Sequence, residues 1–540
     1  MSDSTTKGAR VVKRFESLQA ERSTWRTHWD EVAKFVIPKK DDVYGGREKG
    51  SKVGSTLFDT KAIKANDDLS SALHGMLTSP SLLWFGLETG TAVDKIQPVT
   101  DWLFNSTMKM INAMNSSNFQ TEIHEVYQDL GSTGTTVLLM DSDEEEVINF
   151  SYENIHNVVI DENHKGEIDY INKEYELSAR QLIAKFPDMN EETRKNIVEK
   201  ELDNPAKRFK VLQEIMPRTE SEMQMGVGTT AMPFASVHVL KDNAEILKES
   251  GFEEFPAAVV RWSKNNKEKY GRSPAMKTLA DIKMANQMKK VTIQGAQLAI
   301  APPLQVPDNG FLAPLDLRPF GTNYYRGNSK NRIEPLLTGA QPQLGEGLIE
   351  IVHDSIKEHF MTDKLVTPQI DRATATEVLQ RRDEQLRFLG PVLGRLDREL
   401  LKKIVDRVFG IMLRAQKFDA MPKELVEFIQ SQGGKFDLLV RYRSTIAQAQ
   451  LITQSENISR AVNATAFVIG SQPEVMDNID GDALLKKNMR IYGVDPDILR
   501  SEKEVEGMRK QRAEQLQAQA EREAANSESQ TIKNMSDAEQ

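Results

Sequence analysis

The stretch YGRSPAMKTLADIKMANQMKKVTIQGAQLAIAPP, residues 270–303, sets the plan of the chain. Ser273 is a good helix N-cap and Pro274 suits a first helical turn, so a helix is predicted to open there. Met276, Leu279, Ile282, Met288, Val291 and Leu298 recur near helical spacing until Pro302 and Pro303 end the run. At 1.5 Å per residue this helix would be roughly 40 Å long. Residues 300–345 are rich in Pro, Gly and Asn with only brief apolar runs, which predicts a small compact insertion rather than a helical hairpin. A second helix leaves the insertion, from Leu344 to about Met361. The frame is therefore helix, insertion, helix.

Beyond it, Thr362 to Asp371 reads as a loop, with Lys364 and Pro368 inside it and Arg372 at its edge. Thr374 and Glu377 are spaced as a capping box, and the pattern that follows reaches about Gln416, with Gly390-Pro391 expected to kink or break it. Val378, Leu379, Leu386, Leu389, Leu393, Leu396, Leu400, Ile404 and Val408 make one long apolar stripe, read as core. Upstream, residues 10–37 read as one amphipathic helix closed by Pro38. A second helix carries Ile63, Leu69, Leu73, Met76 and Leu77, and a third runs from about Thr100 to Asp129. Between Thr135 and Trp262 the pattern shifts to short β-like runs with two short helices intervening. A strand-like run spans Phe436 to Tyr442 and several helices span Ser444 to Leu499. The charged Gln/Ala/Glu tail after Ser501 reads as a solvated helix grading into disorder. The fold class is α+β, mainly helical.

With 540 residues the chain is long enough for several modules. Lys+Arg number 70 against Asp+Glu 80, a net charge of -10, whereas tight DNA binding draws on a cationic excess. There are no cysteines, which excludes disulfides, thiolate metal sites and Cys nucleophiles and fits a reducing compartment. The polar start, Met1-Ser-Asp-Ser-Thr-Thr-Lys-Gly, lacks the apolar core of a signal peptide, and no stretch approaches a membrane span of roughly 18 apolar residues. A soluble protein made inside the cell is expected.

The search for chemistry finds no catalytic, cofactor or metal residues. Gly45 to Lys52 has two glycines at phosphate-loop separation but Ser51-Lys52 where the motif needs Lys followed by Ser or Thr. Asp141 to Glu146 resembles the start of a calcium loop but lacks its glycine, and reads as a solvated turn between strands. Glu350-Ile-Val-His353 is half of a di-iron helical motif, and a polar helix face is the plainer reading. No nucleophile elbow or His-Glu-x-x-His pair is present.

Three ordered segments resemble the head-to-tail connector, or portal, family of T7-like phages. The first is Trp25 to Pro38, then Leu57-Phe-Asp-Thr60, Leu73 to Pro80 and Trp84-Phe85. The second is Tyr270 to Pro274. The third is Thr374 to Arg382, followed by Pro391 and Leu400 to Phe409. The resemblance runs to about residue 500 and does not cover the tail. It implies a ring of twelve subunits around a channel: a wing from residues 1–262, a first stem helix over 263–299, a clip over 300–343 and a second stem helix over 344–361. A tunnel loop follows at 362–372, then a channel helix with the rest of the wing over 373–440, a crown over 441–500 and the tail, 501–540. It further implies residence at the unique vertex of the phage head after assembly in the host cytoplasm, and double-stranded DNA passing without sequence specificity. A separate terminase motor, tail adaptor proteins, and the major capsid and scaffold proteins would be its partners. An internal virion protein or assembly scaffold is the rival reading; it would show uninterrupted heptads and little α+β content. An ATPase motor would need the missing phosphate loop.

Within the second long helix Glu346, Glu350, Asp354 and Glu358 recur every four residues as a slowly drifting acidic stripe, with Ile349, Val352, Ile356 and Phe360 on another side. The family plan turns this stripe to the channel axis. These four acids, with Lys364 and Arg372 of the following loop, are the channel-lining candidates. Lys264, Lys267, Lys269, Arg272, Lys277, Lys283, Lys289 and Lys290 give the first helix and its approach the opposite charge, so pairing of some of them with the acids between helices is the alternative.

Overall fold

The computed structural model describes residues 2–40, 50, 52–81, 83–143, 146–305, 334–335, 342–365, 390–431, 439–441, 458, 460–461, 481–491 and 504–519. It divides into two compact units, Met1–Ile446 and Ala447–Gln540. In the second unit Gly481–Ile491 is helical, residues 504–519 form an exposed helix, and Arg509 pairs with Asp482 at 2.7 Å.

The first unit opens with α1 (Ser2–Glu21) and α2 (Ser23–Val36), where the sequence pattern suggested one helix. The break falls at Arg22. Its buried guanidinium donates to the carbonyls of Ile155, His156 and Val158 at 2.5–2.6 Å, a tertiary contact that helical periodicity does not register. α3 (Lys61–Leu77) follows as expected. The helix expected from Thr100 to Asp129 is also two, α4 (Gln97–Ser116) and α5 (Phe119–Ser132). Asn118 lies between them and spends its side-chain amide on Phe150, donating to its O and accepting from its N.

Two antiparallel sheets come next, after the short β1 (Gly86–Glu88). β2 (Thr135–Asp143) pairs with β3 (Val147–Glu153) and, at its other edge, with β9 (Ala257–Arg261). Of the acidic run read as a turn, Asp141–Asp143 belong to β2 and pair with β3, Glu146 lies in the turn before β3, and residues 144–145 lie outside the described residues. The second sheet is β4 (Val158–Glu162), β5 (Ile168–Leu177), β6 (Phe209–Pro217), β7 (Phe234–Leu240) and β8 (Glu245–Phe252), in that order. Period-2 alternation places neighbours on opposite faces. Val211 faces α6 (Ala179–Lys185) and α7 (Glu191–Asp203), while Leu212 faces Phe15 and Leu18 of α1. With α8 (Glu220–Met225) the short α-helices among the described residues of this stretch number three rather than two.

Ser273 caps the next helix as predicted, its Oγ accepting from Met276 N at 3.0 Å. That helix is α9 (Pro274–Lys277) continued by α10 (Leu279–Ile300), and residues 263–273 ahead of it are not helical. The ends of the insertion pair as β10 (Leu304–Gln305) and β11 (Glu334–Pro335); residues 306–333 and 336–341 lie outside the described residues. α11 (Pro342–His359) returns and is closed by Met361 at φ 58. The expected loop from Thr362 begins as a helical turn, α12 (Thr362–Leu365), because Thr362 and Leu365 are buried. The rest of that loop, Arg372, the capping box and the Thr374–Arg382 part of the third resemblance segment lie outside the described residues, as does most of Gly45 to Lys52.

α13 (Gly390–Leu396), a π-helical turn (Asp397–Leu401) and α14 (Lys402–Arg414) form one continuous rod. A kink was expected at Gly390-Pro391; within the described rod the departure from α geometry is the π turn. Of the stripe read as core, Leu396, Leu400, Ile404 and Val408 are buried and Leu393 is half-buried, while Val378, Leu379, Leu386 and Leu389 lie outside the described residues. α15 (Lys423–Ser431) was not anticipated, and β12 (Leu439–Arg441) pairs with β1. One main core runs from α2 through α5, β2, β3 and β9 to α9–α14.

Candidate functional site: the paired helices and their anchor

Two of the sequence segments singled out above meet at the root of the long helix. Trp29 packs edge-on to Tyr270 at 5.1 Å, Trp25 lies 5.9 Å from the same ring, and Arg272 sits over Trp25. Trp29 Nε1 donates to Thr133 O at 3.1 Å, and Ser273 Oγ donates to Ser132 O at 2.5 Å. A Cβ on Gly271 would lie 2.4 Å from Gly134 O, so backbone contact here needs glycine. Most of the Tyr270–Pro274 segment is thereby fixed against the end of α5.

α10 and α11 run antiparallel. Ser355 Oγ donates to Asp281 Oδ2 at 2.9 Å near the body, and Gly345 lies against Thr292 farther out, where a Cβ would come within 2.4 Å of Thr292 Oγ1. At the base, residues 56–60 clasp both helices. Asn286 Oδ1 accepts from the backbone N–H groups of Phe58 and Asp59 at 2.7 and 3.1 Å, and Asn286 Nδ2 donates to Thr56 O. His353 Nε2 meets Asp59 Oδ2 at 2.7 Å. His353 is thus an anchor to Asp59 rather than a bare polar face. Asp59, Asn286 and Gly345 were missed; an amide among apolar helix positions and a glycine inside a helix were the available signals.

Burial on the pair is graded along its length. Leu279, Ile282 and Ala285 are buried near the start of α10, whereas Val291, Leu298 and Ile300 are exposed. On α11, Ile349, Val352 and Ile356 are buried, followed by Phe360, whereas Leu344 and Leu348 are exposed. The pair is rooted at one end and reaches out at the other.

Glu346, Glu350, Asp354 and Glu358 are all exposed. By helical phase Glu346 and Glu350 point away from α10. Asp354 takes a 2.7 Å bond from Lys357 of its own helix, which holds its carboxyl below the usual range. Four of the basic residues of the first helix and its approach bond elsewhere. Lys264 meets Glu162, Lys269 meets Glu21 and Asp161, Arg272 meets Glu268, and Lys283 meets Glu31. None of these four reaches the acidic stripe. Lys364 is half-buried on α12. Among the described residues no group of three or more His, Asp or Glu is arranged to hold a metal, and no helix is long and apolar enough to cross a membrane.

Residues 9–499 match the family described as bacteriophage head to tail connecting protein, and the chain belongs to that family. Among its relatives are the probable portal protein of Bordetella phage BPP-1 and the portal protein of Salmonella phage epsilon15. The first is 28% identical over 519 residues, 94% of this chain and 91% of the relative. The second is 26% identical over 541 residues, 95% of this chain and 92% of the relative.

Proposed function

We propose that this chain is the repeating subunit of a closed ring at the unique vertex of a phage head, the conduit through which DNA is packaged and ejected. The observation that carries the reading is the rooted, outward-reaching pair α10–α11, whose outer edge is a stripe of exposed carboxylates. In a ring of twelve the pair is the stem, residues 300–343 are the clip, residues 1–262 with part of 373–440 the wing, and residues 441–500 the crown. The stripe faces the axis, with Lys364 and Arg372 at the tunnel loop, 362–372.

Charge sets the mechanism. Each phosphate neutralised by a protein cation adds a salt-dependent hold on DNA and would brake translocation. Carboxylates repeated around a ring repel phosphate instead and keep the duplex centred. The subunit has no catalytic turnover of its own; a terminase motor docks at the clip during packaging, tail adaptors replace it, and capsid and scaffold proteins surround the wing during assembly in the host cytoplasm.

Negative-stain images of the purified protein should show closed rings with a hole wide enough for duplex DNA. Monomers that hydrolyse ATP would overturn the reading. Charge reversal tests the stripe: Glu350→Lys with Asp354→Lys should leave rings intact but slow packaging, with relief by added salt. Normal packaging at low salt in that variant would remove these carboxylates from the DNA path.

A further inference from the structure

Between β6 and β7 the chain leaves the second sheet for residues 218–233, an excursion that carries α8 and a helical turn, Gly228–Ala231. Met225 and Val227 stand on it, exposed by 80% and 86%. Outside α10–α11 they are the two most exposed large apolar side chains among the described residues. The backbone beneath them is firmly held. Arg218, its side chain only 4% exposed, donates to Met232 O at 3.0 Å and to Ser250 O at 2.8 Å. Thr219 and Glu222 cap α8 reciprocally, and Thr230 Oγ1 bonds both the N–H and the C=O of Val227 at 2.9 Å. A Cβ on Gly226 would run into Thr230 O. Rigid backbone thus presents apolar surface to water, an arrangement that marks an interaction site.

Beside the excursion a cavity of about 520 Å³ opens between α1, α8 and the sheet, with Val11, Met216 and Val237 as its apolar lining. Its three carboxylates are already engaged. Glu249 pairs with Lys7 at 2.7 Å and with Arg218 at 3.4 Å, Glu222 accepts from Thr219 N at 2.8 Å, and buried Glu214 accepts from Tyr170 OH at 2.7 Å. Burial raises the pKa of Glu214, although Tyr170, Arg14, Lys7 and Arg10 pull it back. Arg10 is the opposite case. It lines the same cavity, is exposed, and has no hydrogen-bond or ion-pair partner among the described residues. Arg14, one turn further along α1, lies over the Tyr170 ring at 3.9 Å and reaches Asp161 only at 3.8 Å.

Available cationic charge beside rigid apolar surface selects the ligand. Nucleic acid or a small anion would use Arg10 and Arg14 but leave Met225 and Val227 in water, and Glu222 and Glu249 would oppose a polyanion. A second copy meeting this surface face to face would set Arg10 and Arg14 against their own counterparts. A peptide segment with carboxylates on one side and apolar side chains on the other satisfies both parts at once. We propose that the excursion at residues 218–233 and the Arg10–Arg14 edge of α1 form a docking surface for an acidic amphipathic segment of a different polypeptide. Its apolar side chains cover Met225 and Val227 and anchor in the cavity, and its carboxylates meet Arg10 and Arg14. This surface does not depend on the ring reading.

The test uses the full-length protein and a fluorescein-labelled peptide made of two copies of Glu-Leu-Leu-Glu-Glu-Leu-Ala, with binding read by fluorescence anisotropy. The peptide should bind saturably. Arg10→Glu, and separately Met225→Ser combined with Val227→Ser, should each weaken it by about tenfold or more. All three positions are exposed, so the thermal midpoints of the variants should match the parent's. A peptide with Lys in place of every Glu should not bind. No saturable binding to the parent, equal binding by the parent and either variant, or equal binding of the Lys peptide would each overturn the proposal. The chain has no cysteine, so Val227→Cys places a single thiol on the surface. That thiol should react freely with a maleimide in the protein as purified and be protected by the peptide. A thiol already shielded before peptide is added, or one that cross-links copy to copy, would assign the face to a second copy of this chain and overturn the proposal.

Discussion

Lys40 reaches from the turn after α2 into the core and meets the fully buried carboxylate of Asp129 at 2.7 Å, Glu125 at 2.9 Å and Tyr152 OH at 3.0 Å. Burial pushes Asp129 up and the Lys40 ammonium pulls it back, and Tyr152 donates to the same carboxylate. Lys40→Met leaves that charge uncompensated and should cost about 3–5 kcal/mol in urea unfolding; an unchanged midpoint would mean Asp129 is already protonated. Two histidines set an acid limit. Burial first, then Arg22, Arg26 and Lys40, depress His156 to about 3. Burial with Lys185, Lys248 and Lys173 brings His238 to about 3 as well. The unfolded chain protonates each near 6.5 and the native chain does not until about pH 3, so below pH 6.5 the unfolded state binds more protons. Stability is therefore lost as pH falls through that window, by up to about 1.4 kcal/mol per pH unit for each histidine, and is unaffected by them above it. His238→Gln should lose less stability than the parent between pH 7.5 and 5.0, as read by unfolding midpoints. Equal losses would show that His238 does not carry the effect.

Among the elements, the rod α13–π–α14 rests on Leu396, Leu400, Ile404 and Val408. In its π turn Glu399 accepts from Arg261 N at 3.0 Å and from Arg261 Nη2 at 2.6 Å, tying the rod to β9. Leu400→Asp would bury an unpaired charge there, cost several kcal/mol and abolish soluble assembled protein; soluble rings of that variant would show the stripe is not core. Which parts of these elements were legible follows from what sets them. The starts and stops at Ser273, Pro302, Pro38 and Pro80 were readable, because a cap or a proline acts through its own neighbours in the chain. The breaks at Arg22 and Asn118 were not, because carbonyls and amides of β3, β4 and the turn between them decide them. The π turn was equally hidden, since Arg261 lies 138 residues before the glutamate it holds. The acidic stripe could be read by phase alone; the anchor from His353 to Asp59 spans 294 residues and could not.

For the whole molecule, the helix pair is held at its base by the clasp from residues 56–60 and Ser355–Asp281, while β10 and β11 join the ends of the insertion in register, Leu304 opposite Pro335 and Gln305 opposite Glu334. Replacing residues 306–333 by a short Gly/Ser linker should leave the thermal midpoint of the first unit unchanged and, on the clip reading proposed above, abolish motor and tail docking. A large fall in the midpoint would show that the body depends on that stretch. The chain enters and leaves this stretch at one point, and the entropy of closing a loop grows only slowly with its length. Heredity can therefore treat it as an interchangeable socket. On the proposed clip reading, a lineage facing a different partner can exchange, lengthen or shorten this stretch at its two feet while inheriting the body unaltered.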